Sequence, residues 1–221
     1  MSGVAVVIAS LACGYGYYRF SKPDHPTLYA LPPATPAATS PAAAPDSPPV
    51  ARKIPEQVPD LALPGLDGKP HRLTEWSGRP LLVNFWATWC EPCRREIPLL
   101  KSLRSEHASK RLEIVGIAID YRDPVRKYVT ANQMGYPVLL GERGGFEAAN
   151  AFGMDTILPF SVFADAAGQI VALKVGELHR DEAELILDRI GKVDSGSLSL
   201  KAARGEISAA MARLAASRPG S

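Results

Sequence analysis

The sequence predicts an α/β fold: a mixed central sheet covered by helices on both faces, with an added N-terminal hairpin. Three observations carry that expectation. Apolar strand-like runs alternate with helical segments from Leu81 to Leu140, the pattern left by right-handed crossovers between parallel strands. Two later runs, Phe160–Ala164 and Ile170–Val175, flank Asp165-Ala166-Ala167-Gly168 and should pair antiparallel. Ahead of them all, Leu61 to Leu73 centres on Asp67-Gly68, a favoured tight-turn pair.

Leu81-Leu82-Val83-Asn84-Phe85-Trp86 reads as a buried strand, because it is a short and nearly continuous apolar run. Glu91 to about His107 reads as a helix, with Pro98 inside it expected to introduce a kink. Leu112–Ile119 is a second buried strand, and Pro124 to Met134 a helix. Pro137–Leu140 is a short strand and Gly145–Phe152 a short helix. Arg180 to Lys192 closes the unit as an amphipathic helix with Leu185, Ile186 and Ile190 on one face. After Asp194-Ser195-Gly196, the segment Leu198 to Ala216 carries Ile207, Met211 and Leu214 at helical spacing among alanines. A docked or loosely attached terminal helix is the default expectation there, and a partner-binding helix the sharper one.

Four regions follow: 1–22, a membrane anchor or signal segment; 23–58, a Pro/Ala-rich linker; 59–193, the folded domain; and 194–221, a C-terminal helical extension. Val4 to Phe20 is mostly apolar, and its 17 residues would span roughly 25 Å as a helix, just short of a ~30 Å hydrocarbon core. Tyr15, Tyr17 and Tyr18 stand where an interfacial aromatic belt is expected, with Arg19 and Lys22 beyond. Cys13, in Ser10-Leu11-Ala12-Cys13-Gly14, is faintly like a lipoprotein processing site and reads better as an apolar residue of the anchor. Nine prolines between 31 and 59 describe an extended, semi-stiff spacer that cannot bury a core.

Composition excludes several classes. Apolar residues at 46% and charged residues at 22% fit an ordinary globular domain. A net charge of +2, with no basic run interleaved with aromatics, gives no reason to expect a nucleic-acid partner. Three cysteines (Cys13, Cys90 and Cys93) are too few for a disulfide-stapled scaffold or a four-cysteine zinc site. The four histidines show no paired ligand spacing, so neither a metal nor a cofactor is expected.

The chemistry concentrates in Trp89-Cys90-Glu91-Pro92-Cys93, which follows the first buried strand and opens a helix. Two cysteines separated by two residues can switch between a dithiol and a disulfide. A helix start favours the thiolate of the first, since unpaired N–H groups and the positive dipole end face its sulfur. Pro92 stiffens this turn at little cost, because its missing N–H would have been unpaired. Glu91 sets a negative charge beside Cys90 and opposes the dipole, which points toward a more reducing couple. Each tenfold shift in that equilibrium is about 30 mV.

The run Asn84-Phe85-Trp86-Ala87-Thr88-Trp89-Cys90-Glu91-Pro92-Cys93-Arg94-Arg95-Glu96, followed by Pro98, resembles the thioredoxin superfamily. In particular it resembles the TlpA/ResA-type membrane-anchored thiol-disulfide oxidoreductases. A second block, Phe152-Gly153, Leu158-Pro159 and Gly168-Gln169-Ile170-Val171, is similar to that family's cis-proline loop and hairpin. The resemblance covers roughly 58–192 and implies a thioredoxin-like domain over 59–193. It implies Cys90 as the attacking thiolate and Cys93 as the resolving thiol, with Trp89 a flat contact surface beside them. It implies a cis bond between Leu158 and Pro159, which would turn the Leu158 backbone toward an extended substrate. Phe160 departs from the threonine the family often has after that proline. Thioredoxins proper commonly bury an aspartate at the position of Asn84; an amide cannot accept a proton, so that role is assigned to Glu96, one helical turn beyond Cys93.

The implied partners are oxidised envelope proteins such as apocytochrome c, and a membrane thiol-disulfide carrier as electron donor. The implied location is the cell inner membrane or periplasm, with the catalytic domain outside the cytoplasm. Two other readings of the cysteines are a Cu(I)-binding or chaperone module using the thiol pair and a peroxiredoxin-like peroxidase. No methionine cluster supports the former, since Met134, Met154 and Met211 are scattered. The latter requires Pro-x-x-x-Thr-x-x-Cys, whereas Thr88 stands two residues before Cys90.

Overall fold

The computed structural model describes residues 53–155 and 157–218. The segment expected as an anchor or signal over 1–22, the linker as far as residue 52, and the last three residues lie outside the described residues. Among the described residues no helix is long and apolar enough to cross a membrane.

Strands β1 (Ala62–Pro64) and β2 (Pro70–Arg72) pair antiparallel across Asp67-Gly68. Gly68 takes φ +81°, which suits a residue without Cβ, and Asp67 Oδ1 accepts the Lys69 N–H at 3.0 Å. The main sheet has five strands in the order β5-β4-β3-β6-β7. They are β3 (Leu81–Trp86), β4 (Glu113–Ala118), β5 (Val138–Leu140), β6 (Phe160–Ala164) and β7 (Ile170–Val175). β3, β4 and β5 run parallel, while β6 pairs antiparallel with both β3 and β7. The helices are α1 (Glu91–Glu106), α2 (Arg122–Asn132), α3 (Gly145–Ala151), α4 (Arg180–Asp194) and α5 (Leu200–Ser217).

Strand periodicity divides the core in two. Leu82 and Trp86 point to one face, where they meet Ile97, Leu100 and Leu103 of α1 and Ile186 and Ile190 of α4. Leu81, Val83 and Phe85 point to the other, against Leu63, Ala148 and Phe152. Phe85 stacks on Phe160 at 4.2 Å and meets Phe152 edge-on at 5.6 Å. Every residue of β3 is buried, which explains its nearly unbroken apolar run.

Gly116 of β4 is registered against Asn84. A Cβ there would lie 2.9 Å from Trp86 Nε1 and 3.3 Å from Tyr136 Cε2, so two aromatic rings occupy the space over this strand. Gly116→Ala is expected to destabilise the fold by about 1–3 kcal/mol. The measurement is a lower urea midpoint at unchanged slope.

Several boundaries differ from the sequence-based expectations. Glu56–Val58, expected in the linker, are bonded to the sheet: Ile170 N–H donates to Glu56 O at 2.9 Å and Val58 N–H to Gly168 O at 2.9 Å. A single apolar residue, Val58, after Glu56 and Gln57 is too slight a signal to stand out beside prolines. α2 starts two residues before Pro124, because proline is tolerated in the first turn. On α4 the buried apolar side chains are Ala183, Ile186, Leu187 and Ile190, with Leu185 turned half outward. α5 is docked: Ser199 caps it, Ala203 and Ile207 are buried, and Arg204 donates to Ile170 O and pairs with Glu56.

Candidate active site

β3 delivers the chain to the site and α1 carries it away. The turn between them is held from β4, whose parallel register places Asp120 just beyond Ala118, the partner of Trp86. Asp120 Oδ2 accepts the Thr88 N–H at 3.0 Å and also the Thr88 hydroxyl. Ile119 N–H donates to Trp86 O at 2.8 Å, and Cys90 N–H to Ala87 O at 3.3 Å. Cys90 then sits at the N-cap of α1 in extended conformation, with its Sγ accepting the Cys93 N–H at 3.3 Å. Pro92 occupies the first turn, where no helical N–H is lost.

Cys90 and Cys93 are joined as a disulfide, their Cα atoms 5.3 Å apart. Cys90 keeps 5% of its surface and Cys93 none, so an incoming group meets Cys90 first. Trp89 is 68% exposed beside it, whereas Trp86 is fully buried. Trp89, Tyr121 and Phe146 line a groove of about 250 Å³ together with Ile119, Asp120 and Gly141. Glu91 is exposed and pairs with Arg95 Nη1 at 3.0 Å, while Arg95 also holds Glu177 at 2.7 Å. The carboxylate beside Cys90 is thus partly offset by a guanidinium that the spacing alone did not weigh.

Glu96 is buried, at 1% exposure, and both of its oxygens accept hydrogen bonds. Asn84 Nδ2 donates to Oε1 at 2.7 Å, and the Leu178 N–H donates to Oε2 at 2.7 Å. Burial outweighs those donors and pushes the carboxyl up to about 7. Glu177 raises it further and Lys174 lowers it. Cys93 and Glu96 lie one turn apart on α1, and both are buried.

The Leu158–Pro159 peptide is cis. Pro159 enters β6, whose first residue Phe160 is registered against Phe85 of β3, so it stands at the same end of the sheet as Cys90. Gly176 N–H donates to Pro159 O at 2.8 Å. Leu158 is half-buried and packs against both halves of the core.

Asp120 and Ser161, which the sequence does not mark as parts of this site, complete it together with Asn84, whose amide the sequence marks only as unable to take a proton. Asn84 and Ser161 carried a detectable signal, each being a lone polar residue in an otherwise apolar strand. Leu178 contributes through its backbone, which no side-chain pattern reveals. Among the described residues no three His, Cys, Asp or Glu side chains are grouped to share a metal ion.

A five-stranded mixed sheet with a cysteine pair capping the first long helix defines a thioredoxin-like thiol-disulfide oxidoreductase. The chain belongs to the AhpC/TSA family, whose model matches residues 54–173. The thioredoxin-like protein YneN of Bacillus subtilis (strain 168) is 33% identical over 137 residues, 60% of this chain and 78% of that one. The thiol-disulfide oxidoreductase ResA of Geobacillus thermodenitrificans (strain NG80-2) is 29% identical over 136 residues, 60% of this chain and 75% of that one. Among solved structures, a thiol:disulfide interchange protein of the thioredoxin family from Chlorobium tepidum TLS superposes with a TM-score of 0.54. It is 32% identical and covers 63% of this chain and 96% of its own.

Proposed function

We propose that the chain reduces disulfides of envelope proteins, apocytochrome c among them, through a Cys90-Cys93 dithiol/disulfide cycle. The observation that carries this reading is the difference in burial between two bonded sulfurs at a helix start, with a titratable acid one turn away. The Cys90 thiolate attacks one substrate sulfur, the substrate S–S bond breaks, and the other substrate sulfur leaves as a thiolate. Cys93 gives its proton to Glu96 and attacks Cys90 Sγ, which breaks the mixed disulfide and releases the second substrate thiolate. Two electrons pass to the substrate and the enzyme ends as the disulfide. Trp89 offers an apolar platform beside the reacting sulfur, and the cis-Pro159 loop offers backbone groups from Leu158. Glu91 and Pro92 tune the couple. A membrane thiol-disulfide carrier returns the electrons, and an N-terminal anchor over 1–22 followed by a linker that ends before Glu56 holds the catalytic domain outside the cytoplasm, at the inner membrane or in the periplasm.

The test is capture. Cys93→Ser keeps the attacking sulfur and removes the resolving one, so mixed disulfides with substrate proteins should accumulate and disappear on addition of dithiothreitol. If no protein disulfide partner is captured from the envelope fraction, the reading fails. A Cu(I) carrier would give metal-loaded protein without covalent partners, and a peroxidase would consume peroxide rapidly in the parent chain.

A further inference from the structure

Asn84 stands in the middle of β3, fully buried and registered against Ser161 of β6. Its Nδ2 donates twice, to Glu96 Oε1 at 2.7 Å and to Ser161 Oγ at 3.1 Å. Its Oδ1 is buried and has no hydrogen-bond partner among the described residues. Since Glu96 Oε2 accepts from the Leu178 N–H, both carboxyl oxygens face donors. That arrangement suits a carboxylate. An acid proton on Glu96 would need an acceptor, and a buried O–H without one is costly.

We propose that the Asn84 side-chain amide inverts with the proton on Glu96, making Asn84 the positioning residue that accommodates both charge states of this acid. With Glu96 ionised, Nδ2 donates to the carboxylate and to Ser161. With Glu96 protonated, the amide makes a half turn about Cβ–Cγ, and Oδ1 accepts from the Glu96 O–H and from the Ser161 O–H. Both partners can reverse their roles: the carboxyl gains a donor on protonation, and the hydroxyl rotates. Two hydrogens on Nδ2 are exchanged for two lone pairs on Oδ1, so the bonds to Glu96 and Ser161 are equal in number in the two states. Amide nitrogen and oxygen are nearly the same size, so the core around β3 keeps its packing. A leucine at this position would serve neither state.

Glu96 titrates at about 7, so both orientations are populated near neutrality. The charged and titratable groups around it are Lys174 of β7, Glu177 just after that strand and Tyr136 ahead of β5, while Cys93 on the same helix is held in the disulfide and does not titrate in this state. Lys174 is also paired with Glu182 at 3.1 Å. The Tyr136 hydroxyl is buried without a hydrogen-bond partner among the described residues, so Tyr136→Phe serves as the control for the inversion. The bearing of the inversion on disulfide exchange rests on Glu96 being the proton acceptor, as proposed above; the inversion itself does not.

The test follows the Asn84 side-chain amide by NMR in the full chain between pH 5 and 9, alongside the Glu96 carboxyl carbon. The Asn84 signals should move with the same midpoint as Glu96. In Glu96→Gln, whose Nε2 stands in for the acid O–H, they should stay at their low-pH position throughout. In Asn84→Leu the Glu96 midpoint should rise by about one pH unit, because the ionised form loses a charge-assisted donor. Asn84 signals that stay fixed while Glu96 titrates overturn the proposal, as does a Glu96 midpoint that moves in Tyr136→Phe but not in Asn84→Leu. Asn84 signals that follow Glu96, beside a Glu96→Gln variant with an unchanged exchange profile, support the inversion and remove Glu96 from the reaction.

Discussion

Cys90→Ser is expected to lower the rate of disulfide exchange by at least about 10³-fold, to the background of the assay. The argument is one of ionisation. A thiol of ordinary pKa, about 8.5, already holds a few per cent thiolate at neutral pH. Here the Cys93 N–H and the start of α1 point at the Cys90 sulfur and favour that anion further. A serine hydroxyl in the same place stays protonated and has no sulfur with which to form a mixed disulfide. Cys93→Ser behaves differently, since the first attack survives and only resolution is lost. Single-turnover kinetics on a disulfide peptide separate the two variants. Comparable first-step rates in both would mean that Cys90 is not the attacking group.

The second large effect concerns Glu96, and it should appear in stability as well as in rate. The carboxyl is raised from 4.5 to about 7 in the folded chain, mainly by burial. Between those values the folded state holds a proton that the unfolded state has released. Its contribution is therefore most favourable below pH 4.5, declines as pH rises toward 7, and is flat beyond. The difference amounts to roughly 3 kcal/mol. Glu96→Gln removes the ionisation, so at pH 8 the variant is expected to be about 1–3 kcal/mol more stable than the parent. At pH 4 it should show no gain. Denaturant titrations at the two pH values measure this, and a gain of equal size at both would mean that charge burial is not the cause. The same variant should slow exchange by roughly 10²-fold by removing the proton acceptor. A rate-versus-pH profile identical to that of the parent would take Glu96 out of the reaction.

The parts of this fold that were legible in the sequence are those where local chemistry and burial agree. β3 and β4 are buried on both faces, so their apolar runs stand out without reference to any partner. The cysteine pair at the head of α1 was legible because proline, helix start and strand end coincide within a few residues. Glu96 was identifiable from its spacing to Cys93, but its environment was not. Asn84 comes to it from another strand and Leu178 N–H from beyond β7, and those encounters depend on register and loop path. From the sequence Asn84 is legible only as an amide that cannot take a proton, whereas in the structure it donates one hydrogen bond to the acid and one to Ser161. Leu185 is the opposite case: apolar character alone suggests burial, and the structure leaves it half exposed. The face of α4 is set by its contact with the sheet, and Leu187 took the buried place.

The ends of the domain have a consequence for how it meets other chains. Gly65 bridges to Leu139 at one margin of the sheet, while Glu56–Val58 and Arg204 occupy backbone groups around Gly168 and Ile170 at the other. Exposed strand margins invite foreign strands to add on, a hazard for a protein whose proposed partners are other polypeptides. These contacts occupy backbone groups at the start of β7 and on β5, so a foreign strand finds those positions already taken.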